Sequence, residues 1–184
     1  MEKRSMTIKS KIGAAVLLAG VAAAGLWGAG DAAAQNIQLQ GTAAQNCTID
    51  VTADAAASTL PLTTAGAQRI QVGTVTQNCN KKAGYTLSVT SANCAAAPTG
   101  GKVVDAAVGE SLSYSGEFAN PTTGGSTASV TGLLASACSS QVARDVTNAK
   151  IASEISTVFV NFTGDAALAA GTYTDTLTVV LAVK

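Results

Sequence analysis

Four cysteines, Cys47, Cys79, Cys94 and Cys138, are the residues of this 184-residue chain best suited to chemistry. No histidine accompanies them. That absence removes the Ser-His-Asp, Cys-His and His-metal arrangements. A zinc site would have to be built from four widely spaced thiolates, since no C-x-x-C is present. Disulfides explain the cysteines better. An even count behind an export leader implies two bridges in an oxidising compartment, and three pairings are open from spacing alone. No P-loop or G-x-G-x-x-G precedes a helix pattern. Carboxylates are few and scattered. Asp175 is the odd one, because it shares the inward parity of Tyr173 and Leu177. It reads either as a catalytic acid or as a rim carboxylate bonded to backbone or a hydroxyl, and the second is preferred. No enzyme activity, cofactor or metal is expected.

Composition narrows the class further. Lys3, Arg4, Lys9 and Lys11 precede an apolar run from Ile12 to Trp27, and Ala32-Ala33-Ala34 offers a small-x-small cleavage pattern. Residues 1–34 are therefore expected to be a signal peptide cut before Gln35. The apolar run is shorter than the ~20 residues a membrane span needs. The remainder, Gln35–Lys184, is 150 residues with seven Lys/Arg and nine Asp/Glu, a net charge of −2. It suits one domain, and its lack of a basic cluster argues against nucleic acid. No membrane span is expected after cleavage.

The elements that position these residues are strands. Apolar residues alternate in Asn46–Thr52, in Ala83–Ser91 (Tyr85, Leu87, Val89), in Glu110–Phe118 (Leu112, Tyr114, Phe118) and in Glu154–Thr163 (Val158, Val160, Phe162). Gln68–Cys79 alternates with a change of phase near Gly73, which predicts a bulge or bend. Ser126–Leu134 is a weaker strand. Asn93–Gly101 and Asn120–Ser126 read as loops on their Pro and Gly residues, and residues 135–152 could hold a short helical turn. The clearest pattern closes the chain. Over Gly171–Lys184 one face carries Tyr173, Leu177, Val179, Leu181 and Val183, while the other carries Thr174, Thr176 and Thr178, then Val180 and Ala182. A long apolar strand with an open edge invites association. It is expected to be central in its sheet or to have its edge covered by another chain. Short strands with turn residues between them predict an all-β, antiparallel sandwich.

The terminal Gly171-Thr-Tyr-Thr-Asp-Thr-Leu-Thr-Val resembles the C-terminal signature of the spore coat protein U-like domain, which is shared by pilins of archaic chaperone–usher pili. Asn36-Ile-Gln-Leu-Gln-Gly-Thr-Ala ahead of Asn46-Cys-Thr-Ile, Gly73-Thr-Val-Thr-Gln-Asn-Cys79 as a second strand, and Leu112-Ser-Tyr114 as a Tyr-bearing middle strand agree with it. The family's basic turn and Trp-Gly segment are missing. The resemblance implies an Ig-like sandwich over 45–184 that lacks its last strand, with residues 35–44 as a donor-strand extension. It implies a bridge between Cys47 and Cys79, leaving Cys94 with Cys138. It implies a groove along the C-terminal strand, filled first by a periplasmic chaperone and then, at an outer-membrane usher, by the extension of the next subunit. Ile37, Leu39, Gly41 and Ala43 would be the donor residues. Tyr173, Leu177, Val179, Leu181 and Val183 would be the acceptor, with Leu177, Val179 and Leu181 sharing the groove floor with Val158, Val160 and Phe162. The expected function is thus a structural pilus subunit, exported to the periplasm and assembled on the cell surface. The other reading is a self-complete secreted sandwich acting as a coat or glycan-binding adhesion module, with Ile37 and Leu39 folded back on their own domain.

Overall fold

The computed structural model describes residues 40–94, 100–122, 129–135, 140–147, 149 and 153–184. Ile37, Leu39, Cys138 and the leader lie outside the described residues. The chain divides into two units, Met1–Gly41 and Thr42–Lys184. Of the first, only Gln40 and Gly41 are described, and neither is in regular structure.

The second unit is all-β among its described residues, apart from a 3-10 turn at Ala55–Ser58. Its strands are β1 (Cys47–Ala53), β2 (Gly66–Cys79), β3 (Tyr85–Ser91), β4 (Gly101–Val104), β5 (Ser111–Ala119), β6 (Ser129–Leu133), β7 (Gln141–Val146), β8 (Glu154–Gly164) and β9 (Leu177–Val183). They form two antiparallel sheets in a sandwich-like arrangement. The larger runs β1-β2-β8-β5-β4, with β6 also on β5, and the smaller runs β7-β3-β9.

The period-2 patterns explain the layers. Val75, Phe118, Val158 and Val160 of the large sheet face Leu87, Val89 and Val146 of the small one, all nearly or fully buried. The phase change in β2 is a register shift between Gln71 and Gly73, opposite β8. A side chain at Gly73 would place its Cβ 2.6 Å from the Thr52 carbonyl oxygen, so β1 lies close against the bulge. Gly84 has φ +92° in the turn from β2 to β3, a left-handed conformation that favours glycine.

Two polar ties join the sheets inside the core. Asn120 donates from Nδ2 to the Ala143 carbonyl of β7 at 2.7 Å and accepts from Ser156 Oγ of β8 at 2.6 Å. Arg144 of β7, its side chain fully buried, donates to Glu154 Oε2 of β8 at 2.6 Å. Tyr85 donates to the same carboxylate at 3.3 Å.

The structure sharpens three readings. Within 135–152, where the sequence is ambiguous, residues 141–146 form a strand, β7. The loop after β3 gives way to a further strand, β4, at Gly101. The closing strand is regular only from Leu177, because the preceding residues pair elsewhere. Thr174 forms an isolated bridge with Val104 of β4.

Candidate functional site

β1 is an edge of the large sheet and β9 an edge of the small one. Each has a neighbour on one side only among the described strands, β2 for the first and β3 for the second. Between these edges lies a cavity of about 730 Å³. Val158, Val160 and Phe162 of β8 line its floor, Val51 and Val72 one wall, and Tyr173, Leu177 and Val179 the other.

The register shows that this face is incompletely covered. Val51 of β1 sits directly opposite Val75 of β2, so both point inward. Val75 is fully buried, but Val51 remains 54% exposed. The same contrast holds across the small sheet. Leu181 and Val179 of β9 are opposite Leu87 and Val89 of β3. The β3 pair is buried, whereas Leu177, Val179 and Leu181 are only partly so. Apolar side chains that point inward yet keep contact with water form an exposed apolar patch of the kind that marks a binding groove.

Of the acceptor residues expected from the sequence, Tyr173, Leu177 and Val179 line the groove. Leu181 packs against the core outside it. Val183, opposite Tyr85, shares their parity but is 41% exposed and lies outside the groove lining. Of the six residues expected on the floor, Val158, Val160, Phe162, Leu177 and Val179 line the cavity and Leu181 does not. Leu60 and Leu62 also line the cavity from the loop between β1 and β2. The sequence signal for them was slight: two leucines flanking Pro61 between apolar strands.

Asp175 lines the end of the groove toward Tyr173. Tyr114 Oη and Ser91 Oγ donate to its Oδ2 at 2.5 and 2.6 Å. The Asn93 and Thr176 N–H groups donate to its Oδ1 at 3.0 and 2.6 Å. A carboxylate offers about four acceptor positions, so this one is fully occupied by hydroxyl and backbone donors. Burial, followed by the bond to this carboxylate, pushes the Tyr114 hydroxyl well above its ordinary range, which keeps it a donor.

At the opposite pole the chain enters the domain. Cys47 and Cys79 are directly paired across β1 and β2 and joined by a disulfide. Cys94 is also disulfide-bonded, while its expected partner Cys138 is outside the described residues. Asn80 secures the residues just before β1: it donates from Nδ2 to the Ala44 carbonyl at 2.7 Å and accepts from the Asn46 N–H at 2.6 Å. Ala43, one of the expected donor residues, is exposed and outside any strand. The Cys47–Cys79 pair lies where β2 turns into β3, near Val183, whereas the groove is lined from Val51–Ala53 and Tyr173–Val179 at the other end. The chain therefore enters at one pole and the groove lies toward the other. No protein-family model matches this chain, and no match was found among curated proteins.

Proposed function

We propose that this chain is an exported structural subunit of a surface fibre, an Ig-like sandwich lacking one strand that polymerises by donor-strand exchange. The observation that carries the reading is the apolar groove between two strand edges, β1 and β9, that no described strand fills. An extended segment laid there would find main-chain partners for affinity and pockets for alternate side chains. Residues 35–44 supply such a segment, with Ile37 and Leu39 at strand spacing and the small Gly41 and Ala43 beyond them. At ~3.3 Å per residue, ten residues reach about 33 Å, enough to leave one domain and enter another. A root at one pole and a groove toward the other favour a head-to-tail contact, which does not close and so yields a filament. The groove would be occupied by a periplasmic chaperone's strand before an outer-membrane usher exchanges it for the next subunit's extension.

The test replaces Ile37 and Leu39 together by Asp. Charges placed in an apolar groove without partners are strongly disfavoured. The wild-type chain is expected to form fibres by electron microscopy. The double variant should remain monomeric on size-exclusion chromatography, yet still take up a synthetic peptide of residues 35–44. Fibres from the double variant would rule out the extension as donor. A wild-type chain that stays monomeric and ignores the peptide would instead establish the self-complete sandwich.

A further inference from the structure

The chain changes sheets just before β9. At Thr174 it belongs to the large sheet: the Thr174 and Val104 N–H groups each donate to the other's carbonyl at 3.0 Å. At Thr176 it belongs to the small sheet, where its carbonyl accepts the Ala92 N–H at 3.0 Å, and from Leu177 onward it runs along β3. Asp175 is the crossing residue. Its partners come from both layers, Tyr114 from β5 and Ser91 from the end of β3. Asn93, just past β3, adds a backbone N–H to the carboxylate and donates its amide to the Thr174 carbonyl. Tyr114 and Asp175 both line the groove.

We infer that Asp175 is the positioning residue of the groove, holding the crossing so that β9 stays on β3 and the gap to β1 stays open for an incoming strand. The inference rests on the strand-accepting reading of that groove. Charge-assisted hydrogen bonds are roughly twice as strong as neutral ones, and here one carboxylate gathers four. Without it, two hydroxyls and the Asn93 N–H lose their acceptor in a partly buried site, and the crossing must rearrange to satisfy them, the Thr176 N–H being exposed. The main-chain edge within reach is that of β1 across the groove. Pairing with it would relieve both open edges and shut the gap.

The experiment follows uptake of a fluorescent peptide of residues 35–44 by the Ile37→Asp/Leu39→Asp monomer, using fluorescence anisotropy. In that background Asp175→Ala should slow uptake about tenfold or more, while far-UV circular dichroism still reports a β-fold. Asp175→Asn should stay within about threefold. Its amide oxygen still accepts the two N–H groups, and its NH₂ donates to the two hydroxyls, which can act as acceptors. Tyr114→Phe keeps the ring in the groove lining, removes one donor, and should slow uptake about threefold. Phe118→Leu, in the core and outside the groove lining, serves as the stability control: it should lower the melting temperature and leave uptake unchanged. Uptake by Asp175→Ala at the background rate overturns the positioning role alone. Should that variant fail to fold, Tyr114→Phe decides, and a background rate there overturns the role equally. If the background monomer takes up no peptide, the strand-accepting reading falls and the positioning role with it.

Discussion

Replacing Leu177 by alanine should have two different costs, depending on what occupies the groove. The change removes about three carbon groups, worth ~0.8 kcal/mol each when fully buried. Leu177 is only partly buried and borders a space of about 730 Å³. In the unfilled monomer little new cavity is created, and the loss should be about 1–2 kcal/mol. Once a strand fills the groove, the same truncation leaves a void between packed side chains, and the cost should rise to about 2.5–5 kcal/mol. Leu87, fully buried beneath β9, supplies the comparison. Leu87→Ala should cost about 3–5 kcal/mol whether or not the groove is filled. The assay is urea denaturation of the Ile37→Asp/Leu39→Asp monomer, followed by far-UV circular dichroism, with and without saturating peptide 35–44. A Leu177→Ala cost that already equals that of Leu87→Ala in the free monomer would show that the groove is occupied from within, and would refute the reasoning.

Gly73→Ala should destabilise by about 1–3 kcal/mol in the same assay, because the new Cβ meets the Thr52 backbone oxygen at 2.6 Å and β1 must move away. Glu154→Ala should cost about 3 kcal/mol or more, since it leaves the fully buried Arg144 side chain without its carboxylate. Adding Arg144→Met to that variant should recover most of the loss, read from the denaturation midpoint. Burial pushes the Tyr85 hydroxyl up from 10.0 to about 12. The folded state therefore holds that proton more tightly than the unfolded chain. This contribution to stability is complete below pH about 10 and is lost as pH rises through about 12, which paired unfolding and tyrosinate titrations should show.

The strands whose side chains alternate cleanly were legible from the residues themselves. β2, β3, β5 and β8 were each anticipated to within two residues at either end, with the bulge at Gly73. β7 was not, and its register explains why. A shift between Leu87 and Ser88 of β3 places Arg144 and Val142 opposite them, with Ala143 as the extra residue. Ala143 and Arg144 are consequently both buried, which breaks the period of 2, and a buried arginine reads as an outward residue. β4 has only four residues, Gly101–Val104, too few to display a period. Within the groove, parity gave the apolar faces of β8 and of the closing strand, while the groove itself was expected only from the family resemblance. The other wall was not anticipated, because Val51 belongs to the groove only through the open edge beside it, a property of strand order and not of β1 itself. The sheet crossing at Asp175 was hidden for the same reason: its partners Ser91 and Tyr114 lie 84 and 61 positions away.

The Cys47–Cys79 bond has a mechanical consequence. It joins the first residue of β1 to the last residue of β2. Tension on the backbone before Cys47 thus passes covalently into β2 and cannot unzip β1 from that end. β2 spans 14 residues and is registered with β8 through eleven Cα pairs. Pulled from its end, it is loaded in shear, so that many hydrogen bonds must yield together instead of one after another. Reducing the bond would leave the same load on β1 alone, held to β2 through only seven Cα pairs, and the domain would begin to yield at a smaller pull.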